Sequence, residues 1–257
     1  MRVAVLGLGE AGSIYAADLA RLGLSVTAAD PLVTAAPAGV RKAADVGGAV
    51  GGATLVLSLV GGNAAGAALE EALPAMDPAA IFADMNTAGP AEKQRLAKRA
   101  DGHGIAFADV GVLAPVPRAR LRTPLVLSGS GADALLSLLT GLRIPAASVG
   151  NEAGVAAALK LLRSVFMKGL AATVLESVSA ARAAGAEAWL VDQIAAELGP
   201  SGQALVARIL EGTPVHAVRR EAEMREARSY LETLGTPHPM TDGAIAWLHS
   251  QVRPDPA

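Results

Sequence analysis

Apolar residues in the first half of the chain come as short runs, and each run is followed by a glycine-rich or polar break and then by a helical pattern. Arg2-Val3-Ala4-Val5-Leu6 is the first run, after which Ile14, Leu19 and Leu22 recur at helical spacing until Gly23 ends the element. The same alternation predicts strands over 25–29, 54–60, 80–83, 105–108 and 124–127, with helices over 64–73 and 90–100. Residues 46–69 carry no charge and match a membrane span in length, but seven of them are glycine, and a buried strand over 54–60 between Gly51-Gly52 and Gly61-Gly62 explains the pattern locally. Strands alternating with helices predict an α/β unit, a Rossmann-type doubly wound, mostly parallel sheet. In such sheets ligands bind beyond the carboxyl ends of the strands, at Val60 and Gly61, Asn86 and Thr87, and residues 109–117.

The texture changes near Ser148. Residues 151–184 contain no proline and predict one long helix, with Asn151 as its N-cap and Glu152 in its first turn. Breaks at Gly199-Pro200-Ser201, Gly212-Thr213-Pro214 and Gly235-Thr236-Pro237 divide the rest into shorter helices. The expected architecture is a dinucleotide-binding domain over 1–150 and an all-α substrate and dimerisation domain over 151–257, joined by the long helix.

Composition removes several function classes. Twenty-two basic and 24 acidic residues give a formal charge of −2 with no basic block, which argues against a nucleic-acid or membrane surface. There is no cysteine, so disulfides, thiolate metal sites and a cysteine nucleophile are excluded, and the default compartment is cytoplasmic. His103, His216, His238 and His249 lack metal-ligand spacing, so no metal site is expected. Glu10 and the glycine turn interrupt the first apolar stretch too early for a signal peptide.

The break after the first run is Gly7-Leu8-Gly9-Glu10-Ala11-Gly12, a GxGxxG turn between a strand and a helix. Gly7 takes the turn out of the strand, Gly9 lets the main chain approach a pyrophosphate, and Gly12 lets helix and sheet pack closely. The first N–H groups of the helix then face the phosphates. A second strand delivers Asp30 near the position where an acid binds the adenosine ribose. The pattern therefore predicts a dinucleotide, the competing reading being a glycine turn in another α/β fold. Asp30 would repel a 2′-phosphate and no cation follows until Arg41, which favours NAD and leaves NADP possible.

On the long helix, Lys160, Arg163, Ser164 and Lys168 share one stripe, whereas Leu159, Leu161, Leu162, Val165, Phe166 and Leu170 make the remainder apolar. The stripe either faces water or lines a cleft where it holds an acid–base group and an anionic substrate.

Gly7-Leu8-Gly9, the segment Asp84-Met85-Asn86-Thr87 before Pro90, and the stretch from Gly154 to Lys160 resemble the β-hydroxyacid dehydrogenases, whose members include 6-phosphogluconate and 3-hydroxyisobutyrate dehydrogenases. The similarity runs in order over most of the chain, and the tail is similar to a shorter branch with a 6-phosphogluconate-dehydrogenase-like C-terminal domain. The resemblance implies that Lys160 is the catalytic lysine, that Thr87 lies beside the nicotinamide ribose and that Val60 lines the adenosine side. Ala11 replaces a common methionine in the turn. Leu113-Ala114-Pro115 stands where characterised members carry a carboxylate-binding Ser-Gly-Gly, and Ser164 stands where an asparagine accompanies the lysine. The cofactor site thus transfers and the substrate site does not.

The expected activity is NAD(P)-dependent hydride transfer to or from a small, acidic hydroxy or carbonyl compound. Lys160 serves as general acid–base, and Asn86, Leu113, Arg163, Ser164 and Lys168 are the substrate-side candidates. Imine reduction on the same scaffold and a non-catalytic dinucleotide sensor are the alternatives. Trp189, Leu190, Val191, Leu205, Val206, Ile209, Leu210 and Trp247 give the tail more apolar surface than so short a helical segment buries alone, and the resemblance implies pairing through this domain, so a homodimer is expected.

Overall fold

A computed structural model describes residues 1–252 of the chain. Among them, the strands β1 (Arg2–Leu6), β2 (Ser25–Ala29), β3 (Val40–Lys42), β4 (Leu55–Ser58), β5 (Ile81–Asp84), β6 (Ala106–Val112), β7 (Leu125–Ser128) and β8 (Ala146–Ser148) form one sheet, in the order β3-β2-β1-β4-β5-β6-β7-β8. Neighbours are parallel except β6 and β7, which run antiparallel. The segment joining those two holds only short helical turns, too little to carry the chain back for a parallel crossover. The doubly wound sheet expected from the sequence is thus present, with one reversed pair. The chain leaves β1 in opposite directions towards β2 and β4, so the switch point lies where β1 and β4 end, next to the glycine turn.

The helices α1 (Glu10–Arg21), α2 (Val46–Val50), α3 (Ala65–Ala72), α4 (Pro90–Asp101), α5 (Val116–Ala119) and α6 (Ala132–Gly141) accompany the sheet. Each face has its own apolar core: Val3, Val5, Leu57 and Val110 with Tyr15, Leu19 and Leu135 on one side, and Leu6, Val56, Phe82 and Phe107 with Leu69, Leu73 and Leu96 on the other. Both faces are covered, which explains why the strands read as unbroken apolar runs. Residues 46–69 form α2, β4, a 3-10 turn and α3, and among the described residues no helix is long and apolar enough to cross a membrane.

The pattern does not predict β3, α2, α6 and β8. The first is three residues with two cations at a sheet edge, and β8 is Ala-Ala-Ser, so neither carries a strand signature. Val-Gly-Gly-Ala-Val makes a poor helix, and α2 forms because the Asp45 carboxylate caps the Gly48 N–H at 2.7 Å.

The chain divides into two compact units, Met1–Lys160 and a second that starts at Leu161; the division falls inside α7 (Val155–Ala183). In the second unit α8 (Glu187–Glu197), α9 (Gly202–Val215), α10 (Ala217–Thr233) and α11 (Pro239–Ser250) pack with α7. Val174, Val178, Ala195, Val206 and Ile209 form one cluster, and Ala172, Met224, Ala244, Ile245 and Leu248 another. Two boundaries differ from expectation. Gly212-Thr213-Pro214 is no break, because Pro214 lies in the last turn of α9 and the chain turns at His216 instead. Asn151 is not the N-cap of α7, which starts at Val155 behind Gly154 at φ +95°, a conformation that cannot lie inside a right-handed helix.

Tyr15 illustrates an unmet requirement of the first core. Its hydroxyl is buried among apolar side chains with no hydrogen-bond partner among the described residues, and burial pushes it well above the usual phenol range. Tyr15→Phe removes a desolvated donor without opening a cavity, so we expect it to stabilise the protein by about 1–2 kcal/mol. A higher urea midpoint at unchanged m-value is the readout; a lower midpoint would mean that the hydroxyl has a partner.

Candidate active site

The glycine turn has the geometry that a pyrophosphate needs. Gly7 sits at φ +88°, where a side chain would also strike the Leu59 carbonyl oxygen at 2.5 Å, and a Cβ on Gly12 would overlap the Gly7 carbonyl oxygen. Among the described residues nothing beyond its own chain neighbours lies within 4 Å of the position a Gly9 Cβ would take, so the space above it is open. Gly9 is the N-cap of α1 and has no side chain to occupy the first N–H groups, and Glu10 and Ala11 follow in the first turn. Leu8 is buried, and its N–H donates to Asp30 Oδ2 at 2.6 Å, while Leu32 N–H donates to Oδ1 at 2.8 Å. Two of the roughly four acceptor positions of the Asp30 carboxylate are thereby used, leaving capacity for a ribose hydroxyl. These residues fit a dinucleotide.

Pairing of β3 with β2 brings in a residue that sequence reasoning missed. Ala28 pairs with Lys42, whose Nζ donates to the Asp30 carbonyl at 2.9 Å and to the Ala43 carbonyl at 3.3 Å. A cation thus stands at the end of β2 beside Asp30. Only recognition of β3 could have located it.

Beyond β4 and β5, the two loops are bound to one another. Asn86 Oδ1 accepts the Gly61 N–H at 2.8 Å, and its Nδ2 donates to Ser58 Oγ at 2.9 Å and to Asp84 Oδ1. A Cβ on Gly62 would meet the Thr87 carbonyl at 2.5 Å, so this approach requires glycine. Asn86 is buried with its amide engaged inside the protein, which makes it a tether for the loop that follows Val60. Val60 itself packs against the second core.

Thr87 Oγ1 accepts a hydrogen bond from Lys160 Nζ at 2.7 Å, across 73 positions of sequence. Lys160 is half-buried. Gly111 of β6 lets α7 come this close: a Cβ there would meet the Val126 side chain at 2.6 Å, the Ala156 carbonyl at 3.2 Å and Lys160 Cβ at 3.5 Å. Leu113, two residues on, is half-buried and donates its N–H to the Pro124 carbonyl at 3.0 Å.

Sequence reasoning also missed a polar row under this site. Register aligns Ser58 with Asp84, Asp84 with Asp109, and Asp109 with Ser128 across β4 to β7, and all four are fully buried. Lys93, buried on α4, reaches Asp84 Oδ2 at 2.9 Å and Asp109 Oδ1 at 3.3 Å. Asp109 Oδ2 accepts the N–H groups of Gly154 at 3.1 Å and Ala157 at 3.0 Å, and Ser128 Oγ accepts that of Ala156 at 3.0 Å. The cap that Asn151 was expected to supply comes instead from a strand 45 positions away. A signal was present in the chain, since Leu-Val-Leu-Ser occurs at 55–58 and 125–128 and Phe-Ala-Asp at 82–84 and 107–109, each an apolar run closed by one polar residue.

The other stripe residues of α7 belong to the second unit. Ser164 is buried and accepts from Lys168 Nζ at 3.0 Å, and Lys168 pairs with Glu223 Oε2 at 2.7 Å, so its charge is already compensated. Arg163 is exposed.

Residues 2–149 match the model of the NAD binding domain of 6-phosphogluconate dehydrogenase, and residues 181–251 match a domain of unknown function, DUF1932. An uncharacterised 28.5 kDa protein of Methanothermus fervidus is 28% identical over 151 residues, which cover 59% of this chain and 58% of that one. The matched stretch is thus less than two thirds of that relative. A conserved hypothetical protein from Sinorhizobium meliloti is 30% identical and superimposes with a TM-score of 0.76 over 97% of this chain and 87% of the other. Two solved structures of lower identity share the fold: 3-hydroxyisobutyrate dehydrogenase of Mycobacterium tuberculosis with L-serine (21% identical, TM-score 0.80, covering 97% and 92%) and an imine reductase of Streptomyces aurantiacus (23%, 0.70, 97% and 94%).

Proposed function

Because the chain belongs to the family defined by the NAD binding domain of 6-phosphogluconate dehydrogenase, we propose that it is an NAD-dependent oxidoreductase acting on a small hydroxy or carbonyl compound. Residues 1–150 bind the dinucleotide, and residues 151–257 serve substrate binding and pairing of subunits. The observation that supports the reading is the hydrogen bond from Lys160 Nζ to Thr87 Oγ1, an ionisable amine against the loop that follows β5. A bound nicotinamide supplies or takes the hydride. In the oxidative direction neutral Lys160 Nζ accepts the hydroxyl proton, and in reverse its ammonium protonates the developing alkoxide. Thr87 Oγ1 orients the amine, Gly7 to Gly12 and Asp30 hold the dinucleotide, and Asn86 fixes the Gly61 loop. Leu113, Arg163, Ser164 and Lys168 remain the substrate-side candidates.

The test is a reduction screen over small hydroxy acids with NAD and NADP side by side, repeated in reverse with carbonyl compounds and cyclic imines. Turnover of imines alone would select imine reduction, which the apolar Leu113-Ala114-Pro115 loop favours over a carboxylate substrate. Dinucleotide binding without turnover of any class would leave the sensor.

Cofactor choice is a separate prediction. We expect NAD to bind more tightly than NADP, because a 2′-phosphate would meet the Asp30 carboxylate, and Asp30→Ala should narrow the difference. Tighter NADP binding by the unaltered protein would overturn this and point to Lys42, whose removal should then abolish the preference.

Pairing of subunits also admits a direct test. Val206 and Ile209 are consumed by the second unit's own core, but Phe166, Trp189, Val215, Val218 and Met240 are two-thirds exposed or more, to within a few per cent. We expect a homodimer through this unit, read as twice 25.7 kDa by light scattering at micromolar concentration. A monomer with full activity would remove the partner from the site.

A further inference from the structure

We propose that Lys93 is a positioning residue for the Lys160–Thr87 pair, acting through two buried carboxylates. Its ammonium is 1% exposed and donates to the Asp84 carbonyl at 3.0 Å and to Asp84 Oδ2 at 2.9 Å, with Asp109 Oδ1 at 3.3 Å. Each carboxylate presents its other oxygen to a different part of the site. Asp84 Oδ1 accepts the backbone and side-chain N–H groups of Asn86, the residue before Thr87. Asp109 Oδ2 accepts the N–H groups of Gly154 and Ala157, at the start of the helix that carries Lys160. One ammonium therefore joins the Thr87 loop to the first turn of α7.

Charge makes the join specific. Two carboxylates against one ammonium leave one net negative charge in the interior, and the N–H groups at the start of α7 compensate it. Without the ammonium, Asp84 and Asp109 are adjacent buried carboxylates with no cation between them, and their relief is to separate or to rotate towards other donors. Either response alters the hydrogen bonds that Asp84 makes to Asn86 and that Asp109 makes to α7. Thr87 Oγ1 and Lys160 Nζ, held 2.7 Å apart from the two ends of this chain of contacts, then lose their register. Gly111 leaves no bulk between β6 and α7 to restore it.

This inference rests on the proposed role of Lys160, but its test needs neither cofactor nor substrate, so failure of turnover and failure of the coupling are distinguishable. The chain has five lysines, Lys42, Lys93, Lys98, Lys160 and Lys168. Reductive methylation with ¹³C-formaldehyde gives each accessible lysine one resonance, and Lys160→Arg identifies that of Lys160. We expect a displaced Lys160 resonance in the unaltered protein, and a move towards the position of exposed Lys98 in both Thr87→Val and Lys93→Met. The double variant should move no further than either single one, because both remove the same hydrogen bond. An unchanged Lys160 resonance in folded Lys93→Met would overturn the proposal, as would additive displacements. If Lys93→Met does not fold, Ser128→Ala removes the acceptor of the Ala156 N–H and loosens the start of α7 more gently. It should move the Lys160 resonance in the same direction, and a fixed resonance there would equally sink the coupling.

Discussion

Lys160→Ala is expected to lower turnover on the order of 10²-fold or more while leaving dinucleotide affinity within a few-fold of the unaltered protein. The amine makes its bond to Thr87 Oγ1, and the groups that fit the pyrophosphate and ribose are Gly7 to Gly12 and Asp30, so its loss would remove the proposed proton carrier and spare the proposed anchors of the cofactor. Nucleotide titration by NADH fluorescence and steady-state turnover on one preparation separate the two effects. Near-normal turnover would remove Lys160 from the mechanism, whereas joint loss of folding and binding would make it structural. Lys160→Arg keeps the charge but replaces the amine with a guanidinium that does not give up its proton, so it should be nearly as slow as the alanine variant.

The second large effect concerns the glycine turn and separates two roles of glycine. Gly12→Ala forces a methyl group against the Gly7 carbonyl, so α1 must move away from the sheet at the switch point; we expect loss of dinucleotide binding together with destabilisation of roughly 1–3 kcal/mol. Gly9→Ala adds a methyl group in open space, so thermal stability should be unchanged while dinucleotide affinity falls more than tenfold, because the methyl group occupies the approach of the pyrophosphate. A Gly9→Ala protein that binds NAD normally would show that the phosphates do not pass over this residue. A Gly12→Ala protein with unchanged stability would show that the turn relaxes without cost.

Exposed arginines elsewhere do not make comparable targets. Arg120 and Arg21 share the buried Asp18 near the end of α1, and Arg120 holds both Asp18 oxygens while sitting at φ +54°. That pair ties the segment after β6 back to α1, a use for Arg120 that needs no ligand. Arg118 and Arg122 are exposed.

The Gly7 to Gly12 turn, the strand before it and the helix after it were legible because each is decided by residues within a few positions: φ +88° at Gly7 needs glycine, and apolar periodicity fixes the neighbouring elements. Asp30 was legible for the same reason, since a strand of five residues carries it from a known start to a known end. The amino-acid order by itself thus determined the sheet-and-helix class, the glycine turn between β1 and α1 and the candidacy of Lys160. Tertiary structure alone decided which groups meet. β3 is too short and too charged to announce itself, so Lys42 reaches Asp30 only through strand pairing. Asn151 satisfies every local rule for an N-cap, yet Asp109 caps α7, because the register of β6 sets a buried carboxylate against Gly154 and a desolvated anion gains more from those N–H groups than an exposed amide does. Lys93 reads as one more cation on a polar helix, and only the adjacency of β5 and β6, which places Asp84 beside Asp109, gives its charge a buried destination. Local rules act over the few residues of a turn, whereas the charge balance of a buried site is set by pairings that span tens of positions.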